Sequence, residues 1–219
     1  GLWDTKALQF KHFPVMVPDS KSLRNLQDKL TVETWVYLKT PECKNHKHKH
    51  CWQEYFEHRK ECKHKKNKHL QCSCPKKHFC LLCWLAQFQN GSLLNKLGSY
   101  ELELTKDRKA RFVLHTEKKK GWLPIAKTTK VESSQAIPLE TWVHLAAVYD
   151  GDKVTLYVDS VKQSEEKQTS GKVQSLPTPL LLGCEGFAGI LEEARISDIA
   201  RTSFGGNSED TIVTQTIRR

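Results

Sequence analysis

Residues 141–163 read TWVHLAAVYDGDKVTLYVDSVKQ. Two runs of apolar residues lie on either side of Asp150-Gly151. Their alternation, over Trp142 to Tyr149 and again from Val154 to Val158, is the period-two signature of β-strands. Asp and Gly tolerate the positive φ that a tight turn requires, so the stretch predicts strands joined at that turn.

The same pattern recurs on either side. In LTVETWVYLKT (30–40), Leu30, Val32, Thr34, Val36 and Leu38 fall on one face and Glu33, Trp35 and Tyr37 on the other, as in an interior strand of a sandwich. In SYELELTKDRKARFVLHT (99–116), strands Tyr100 to Leu104 and Ala110 to His115 flank the polar turn Lys106 to Lys109, a hairpin pattern. ALQF (7–10), VMVPDS (15–20), LPTPLLLGC (176–184) and GFAGILEEARISD (186–198) complete the set, with Pro177 and Pro179 marking a strand entry. Short strands at this spacing predict an all-β fold, an antiparallel two-sheet jelly-roll sandwich over residues 1–205, with residues 206–219 as a tail or linker. Glu33 to Leu38 echoes Glu140 to Leu145, which suggests equivalent core strands. Trp35 and Trp142, both mid-strand, are expected in the core.

Residues 41–83 break the pattern as a Cys-, His- and Lys-rich insertion. They hold eleven Lys or Arg against four Glu, 11 − 4 = +7 of the chain's net +10, with seven of its eight cysteines and seven of its ten histidines. With so few apolar residues, this stretch needs staples to fold, and is expected to be partly helical or irregular. Zinc is one staple: Cys72, Cys74, Cys80 and Cys83 offer four soft ligands, although only Cys80-x2-Cys83 has finger spacing. Disulfides are the other. Seven cysteines cannot all pair among themselves, so Cys184 would have to bridge to one of them. The Asn90-Gly91-Ser92 sequon fits an oxidising, extracellular setting.

Arg59, Lys60, Lys63, His64, Lys65, Lys66, Lys68, Lys76 and Lys77 form a dense basic stretch that attracts polyanions through summed charge. Histidine protonation below about pH 6.5 adds to that charge. Trp122, between Gly121 and Pro124, is the candidate exposed aromatic for sugar stacking.

The set ALQF, LTVETWVYLK, GSYELELTKDRKARFVLHT, WVHLAAVYDG followed by VTLYVD, and GILEEARIS, in that order, resembles the laminin-G-like, concanavalin-A-like jelly-roll family. The resemblance covers most of residues 7–203 outside the insertion. It implies two antiparallel sheets and a recognition module for glycans, sulfated polysaccharides or proteins, in places calcium-assisted. Here Lys11-His12-Phe13 stands where the family usually has an acidic turn. Calcium ligands would be Asp150 and Asp152, or Glu185 and Glu192.

Relatives with this fold include glycosidases that use paired carboxylates, but no Glu-x-Asp-x-x-Glu stretch occurs, and Glu101 and Glu103 read as a solvated hairpin face. No Ser-His-Asp set or phosphate-binding glycine loop appears, and no apolar run reaches membrane-helix length. The expected function is non-catalytic recognition, secreted or at the cell surface, within a larger multidomain protein. The expected partner is a sulfated glycan such as heparan sulfate or an acidic protein, not nucleic acid. The alternative is a zinc-stapled protein-interaction domain of a large intracellular scaffold or ubiquitin-ligase-type assembly, in the cytoplasm.

Overall fold

The computed structural model describes residues 7–10, 14–40, 91–120, 123–184 and 186–204. The strands are β1 (Leu8–Phe10), β2 (Val15–Val17), β3 (Leu30–Tyr37), β4 (Gly91–Lys96), β5 (Tyr100–Leu104), β6 (Lys109–Lys120), β7 (Leu123–Ala136), β8 (Trp142–Tyr149), β9 (Lys153–Val158), β10 (Val161–Gln168), β11 (Lys172–Val173), β12 (Leu180–Cys184) and β13 (Gly189–Ser197). One four-residue helix, α1 (Lys21–Arg24), follows β2; Ser20 caps it, its Oγ accepting from the Leu23 amide at 3.3 Å.

Two sheets result. One runs β1-β13-β3-β8-β9-β10; the other runs β11-β6-β5-β4-β12-β2, with β7 added to β6. All the pairings are antiparallel, as the alternation predicted. The two halves of the sequence echo lie side by side, with Trp35 opposite His144, Val36 opposite Val143 and Tyr37 opposite Trp142.

Each strand sends alternate side chains between the sheets. Leu30, Val32 and Val36 meet Leu102, Phe112 and Leu114 in one core. Burying such side chains provides about 1.5 to 3 kcal/mol each before the ordering entropy is subtracted. The predicted hairpin is present, with Leu104 opposite Ala110 and Tyr100 opposite Leu114. Its second strand continues to Lys120 and pairs with β7, a fourteen-residue strand that the sequence pattern did not reveal.

One expectation changes. Trp35 and Trp142 are absent from the core: both are half-buried on the outer face of the six-stranded sheet. Trp35 packs against the His144 ring at 5.1 Å between centroids, and Trp142 against Tyr37 at 5.4 Å. On the same face Arg195 Nη1 lies 3.5 Å from Glu33 Oε1. An irregularity in the β13–β3 register between Glu192 and Arg195 accommodates this turn of the chain, with Glu193 at φ +50°.

Candidate functional site

β5, β6 and β7 place Glu103, Arg111 and Glu132 directly opposite one another on adjacent strands. Arg111 Nε donates to Glu103 Oε1 at 2.5 Å and Arg111 Nη1 to Glu132 Oε1 at 3.4 Å, forming an acid–base–acid row. The hydrogen bond to Glu103 is the main cause of the raised Arg111 pKa, and the charge of Glu132 adds to it.

The row lines an open cleft of about 400 Å³ with Gly91, Thr105, Lys106, Asp107 and Lys109. Three cations and three carboxylates therefore face it, so the cleft is charge-balanced. It offers hydrogen-bond donors and acceptors suited to hydroxyl groups, and no net attraction for a polyanion. Next to the row, Asn95 Nδ2 donates to Glu101 Oε1 at 3.0 Å.

Gly91 sits at the back of this cleft, with φ +149° and so close to Phe187 that an added Cβ would lie 2.4 Å from the Phe187 nitrogen. Ser92, the third residue of the sequon, is fully buried and its hydroxyl has no hydrogen-bond partner among the described residues.

The outer face of the other sheet holds a buried ionic cluster. Glu33 lies 2.7 Å from Arg201 Nη1, 3.3 Å from His144 Nε2 and 3.5 Å from Arg195 Nη1. Burial pushes the Glu33 carboxyl upward, but the His144 hydrogen bond and the two guanidinium charges outweigh it and hold its pKa below the usual carboxylate range. Thr31 Oγ1 donates to the Ile199 carbonyl, and Phe204 packs on His144 and Tyr157. The segment 199–204 is thereby fastened across the sheet. Sequence reading missed both charged groups, because each depends on register between strands far apart in the chain.

Several predicted residues lie outside the described ones: the basic set Arg59, Lys60, Lys63, His64, Lys65, Lys66, Lys68, Lys76 and Lys77, the thiols Cys72, Cys74, Cys80 and Cys83, and Trp122 and Glu185. Asp150 caps its own turn, its Oδ1 accepting from the Asp152 and Lys153 amides at 3.0 Å. Glu192 is buried within β13. Among the described residues no three His, Cys, Asp or Glu side chains converge as metal ligands. Glu101 and Glu103 are half-buried and each has a partner.

A laminin G family model, described as the concanavalin A-like lectin/glucanases superfamily, matches residues 74–203. Among solved structures, a Bacteroides ovatus protein named as a candidate carbohydrate-binding protein is similar over 90% of this chain and 44% of its own, at 14% identity and a TM-score of 0.52. The LG1–3 region of the laminin α2 chain is similar over 90% of this chain and 32% of its own, at 10% identity and a TM-score of 0.50. The chain thus spans less than half the length of either structure, and at such identities the likeness is one of fold. A comparison with curated proteins finds no match.

Proposed function

Because the chain belongs to the concanavalin A-like lectin/glucanase superfamily, we propose that it is a non-catalytic recognition module for an acidic ligand, a sulfated glycan of the heparan sulfate type, working outside the cell or at its surface. The observation that carries this reading is where the charge lies. Residues 41–83 have a net charge of +7, and the remainder, with 24 basic and 21 acidic residues, only 24 − 21 = +3. A near-neutral β-sandwich then serves as the scaffold for one strongly basic segment, whose field recruits a polyanion.

The state of the carboxylates supports recognition over hydrolysis. A retaining glycosidase needs a carboxylic acid with a raised pKa, close to a second, unencumbered carboxylate. Glu103 and Glu132 are instead bridged by Arg111. The described carboxyl groups that depart from ordinary acidity, Asp19, Glu33 and Glu140, all depart downward.

The test is retention on immobilised heparin. The full chain should bind at low salt and elute as salt rises. Neutralising Lys65, Lys66 and Lys68 together should weaken binding by about tenfold or more, since each lost phosphate-like contact removes a released counterion. Affinity indifferent to both salt and these substitutions overturns the proposal. An acidic protein partner would show the same salt dependence without retention on heparin.

The spacing Cys72-x-Cys74-x5-Cys80-x2-Cys83 favours a second reading, a zinc-stapled interaction surface within an intracellular assembly. Thiol and zinc content distinguish the two.

A further inference from the structure

The β6–β7 hairpin outruns the sheet it belongs to. The last rung that β6 shares with any strand other than β7 is Glu117 opposite Lys172. Beyond it, among the described residues, Lys118, Lys119 and Lys120 pair only with Ile125, Pro124 and Leu123. At about 3.4 Å per residue these three pairs make a two-stranded arm about 10 Å long.

The arm combines two properties. Residues 118–125 contain Lys118, Lys119 and Lys120 and no carboxylate, a charge of +3. Leu123 and Ile125, on its β7 strand, are 51% and 50% exposed. Seven large apolar side chains are exposed among the described residues, and four of them, Leu97, Leu123, Ile125 and Leu176, belong to this end of the seven-stranded sheet. Leu97 and Leu176 flank the root of the arm, where the His115 amide donates to the Ser99 carbonyl and the Gln174 amide to the His115 carbonyl. Glu117 stands on the root rung, and the charges of Asp28, Asp150 and Asp152 act on Tyr149 near it.

Lysines on an edge strand are accounted for by protection against unwanted pairing, but a half-exposed leucine and isoleucine on such an arm work against that protection. A sulfated polysaccharide would engage the lysines and gain nothing from Leu123 or Ile125. A bilayer surface uses both, with anionic headgroups for the ammonium groups and an apolar boundary a few ångströms below for the two apolar side chains. We propose that the β6–β7 arm is a membrane-docking element, with Leu123 and Ile125 entering the headgroup boundary of a bilayer that carries anionic phospholipids while Lys118 contacts the headgroups.

Co-sedimentation of the full chain with vesicles tests this. The chain should bind vesicles of about 30% phosphatidylserine in phosphatidylcholine, and bind pure phosphatidylcholine at least about tenfold more weakly. The double variant L123S/I125S should bind the anionic vesicles about tenfold more weakly, with unchanged retention on heparin. K118E should weaken vesicle binding as well. Both variants alter exposed side chains, so an unchanged thermal midpoint is the control for folding. Three outcomes overturn the proposal: L123S/I125S binding anionic vesicles as the parent does; L123S/I125S losing heparin and vesicles alike, which makes the arm a polysaccharide site; or vesicle binding that depends only on Lys65, Lys66 and Lys68. In the first and third cases the glycan reading stands.

Discussion

Glu33 is a carboxylate placed where a β-sheet surface would ordinarily hold an uncharged residue, only 4% exposed and touched by three cationic or ionisable groups. Its removal strands Arg201, whose side chain is 6% exposed, without a counter-charge. Breaking a buried pair from one side costs about 3 kcal/mol, and Glu33→Gln should destabilise the fold by about that amount in chemical denaturation. The pH dependence has a definite sign. The folded pKa of Glu33 lies below its unfolded value, so its contribution is present above the unfolded carboxylate range and is lost as the pH falls through the lowered folded value. The stability of Glu33→Gln should therefore fall less steeply than that of the parent between these limits. Parallel stability curves for the two proteins would show that the Glu33 cluster does not carry this acid sensitivity.

At the scale of the element, the β6–β7 arm depends on a close backbone approach at its root. Gly171 has φ +110°, and an added Cβ would lie 2.5 Å from the Glu117 carbonyl oxygen. The Tyr149 hydroxyl, pushed up to about 12 by burial and by Asp152, Asp150 and Asp28, lies 2.6 Å from the Gly171 carbonyl and secures the same loop. Gly171→Ala should cost about 2 kcal/mol through strain and clash together, read as a lowered denaturation midpoint. A loss below about 0.5 kcal/mol would mean that the loop shifts freely and that β11 does not brace the arm. The elements also show what the sequence could convey. Strands with apolar inward positions, such as β3, β5 and β8, were legible from their alternation. β7 was not, because its buried inward positions are Thr129, Val131 and Ser133, only one of them apolar. Period two is present there in burial but absent in hydropathy. The candidate cleft was less legible still: Glu103 stood out in the sequence as one face of a hairpin, but its coupling to Arg111 and Glu132 arises from strand register, which no local pattern encodes.

Across the whole molecule, the sandwich and the insertion are linked by cysteine arithmetic. Residues 41–83 contain seven cysteines, an odd number, and the eighth, Cys184, ends β12 with 8% exposure, opposite Ser92 on β4. If the chain works outside the cell, every thiol is expected to be oxidised, and parity then requires one bridge from Cys184 into the insertion. A bridge between so basic a segment and a strand of the scaffold would close a loop of about 100 residues or more, the type of cross-link that stabilises most in the chain-entropy account. The expected outcome is an intact mass about eight hydrogens below that of the fully reduced chain, no thiol open to alkylation under denaturing conditions, no zinc released by chelator, and a digest in which the Cys184 peptide is joined to one from 41–83 until reductant is added. Alkylation of all eight cysteines together with chelatable zinc would reverse the assignment, because thiolates holding a metal place no parity demand on Cys184 and belong to a reducing compartment. The same measurement bears on heparin binding: if disulfides hold the basic segment, reductant should reduce retention on heparin while chelator leaves it intact, and the opposite pair of results would transfer the segment to the zinc-stapled reading.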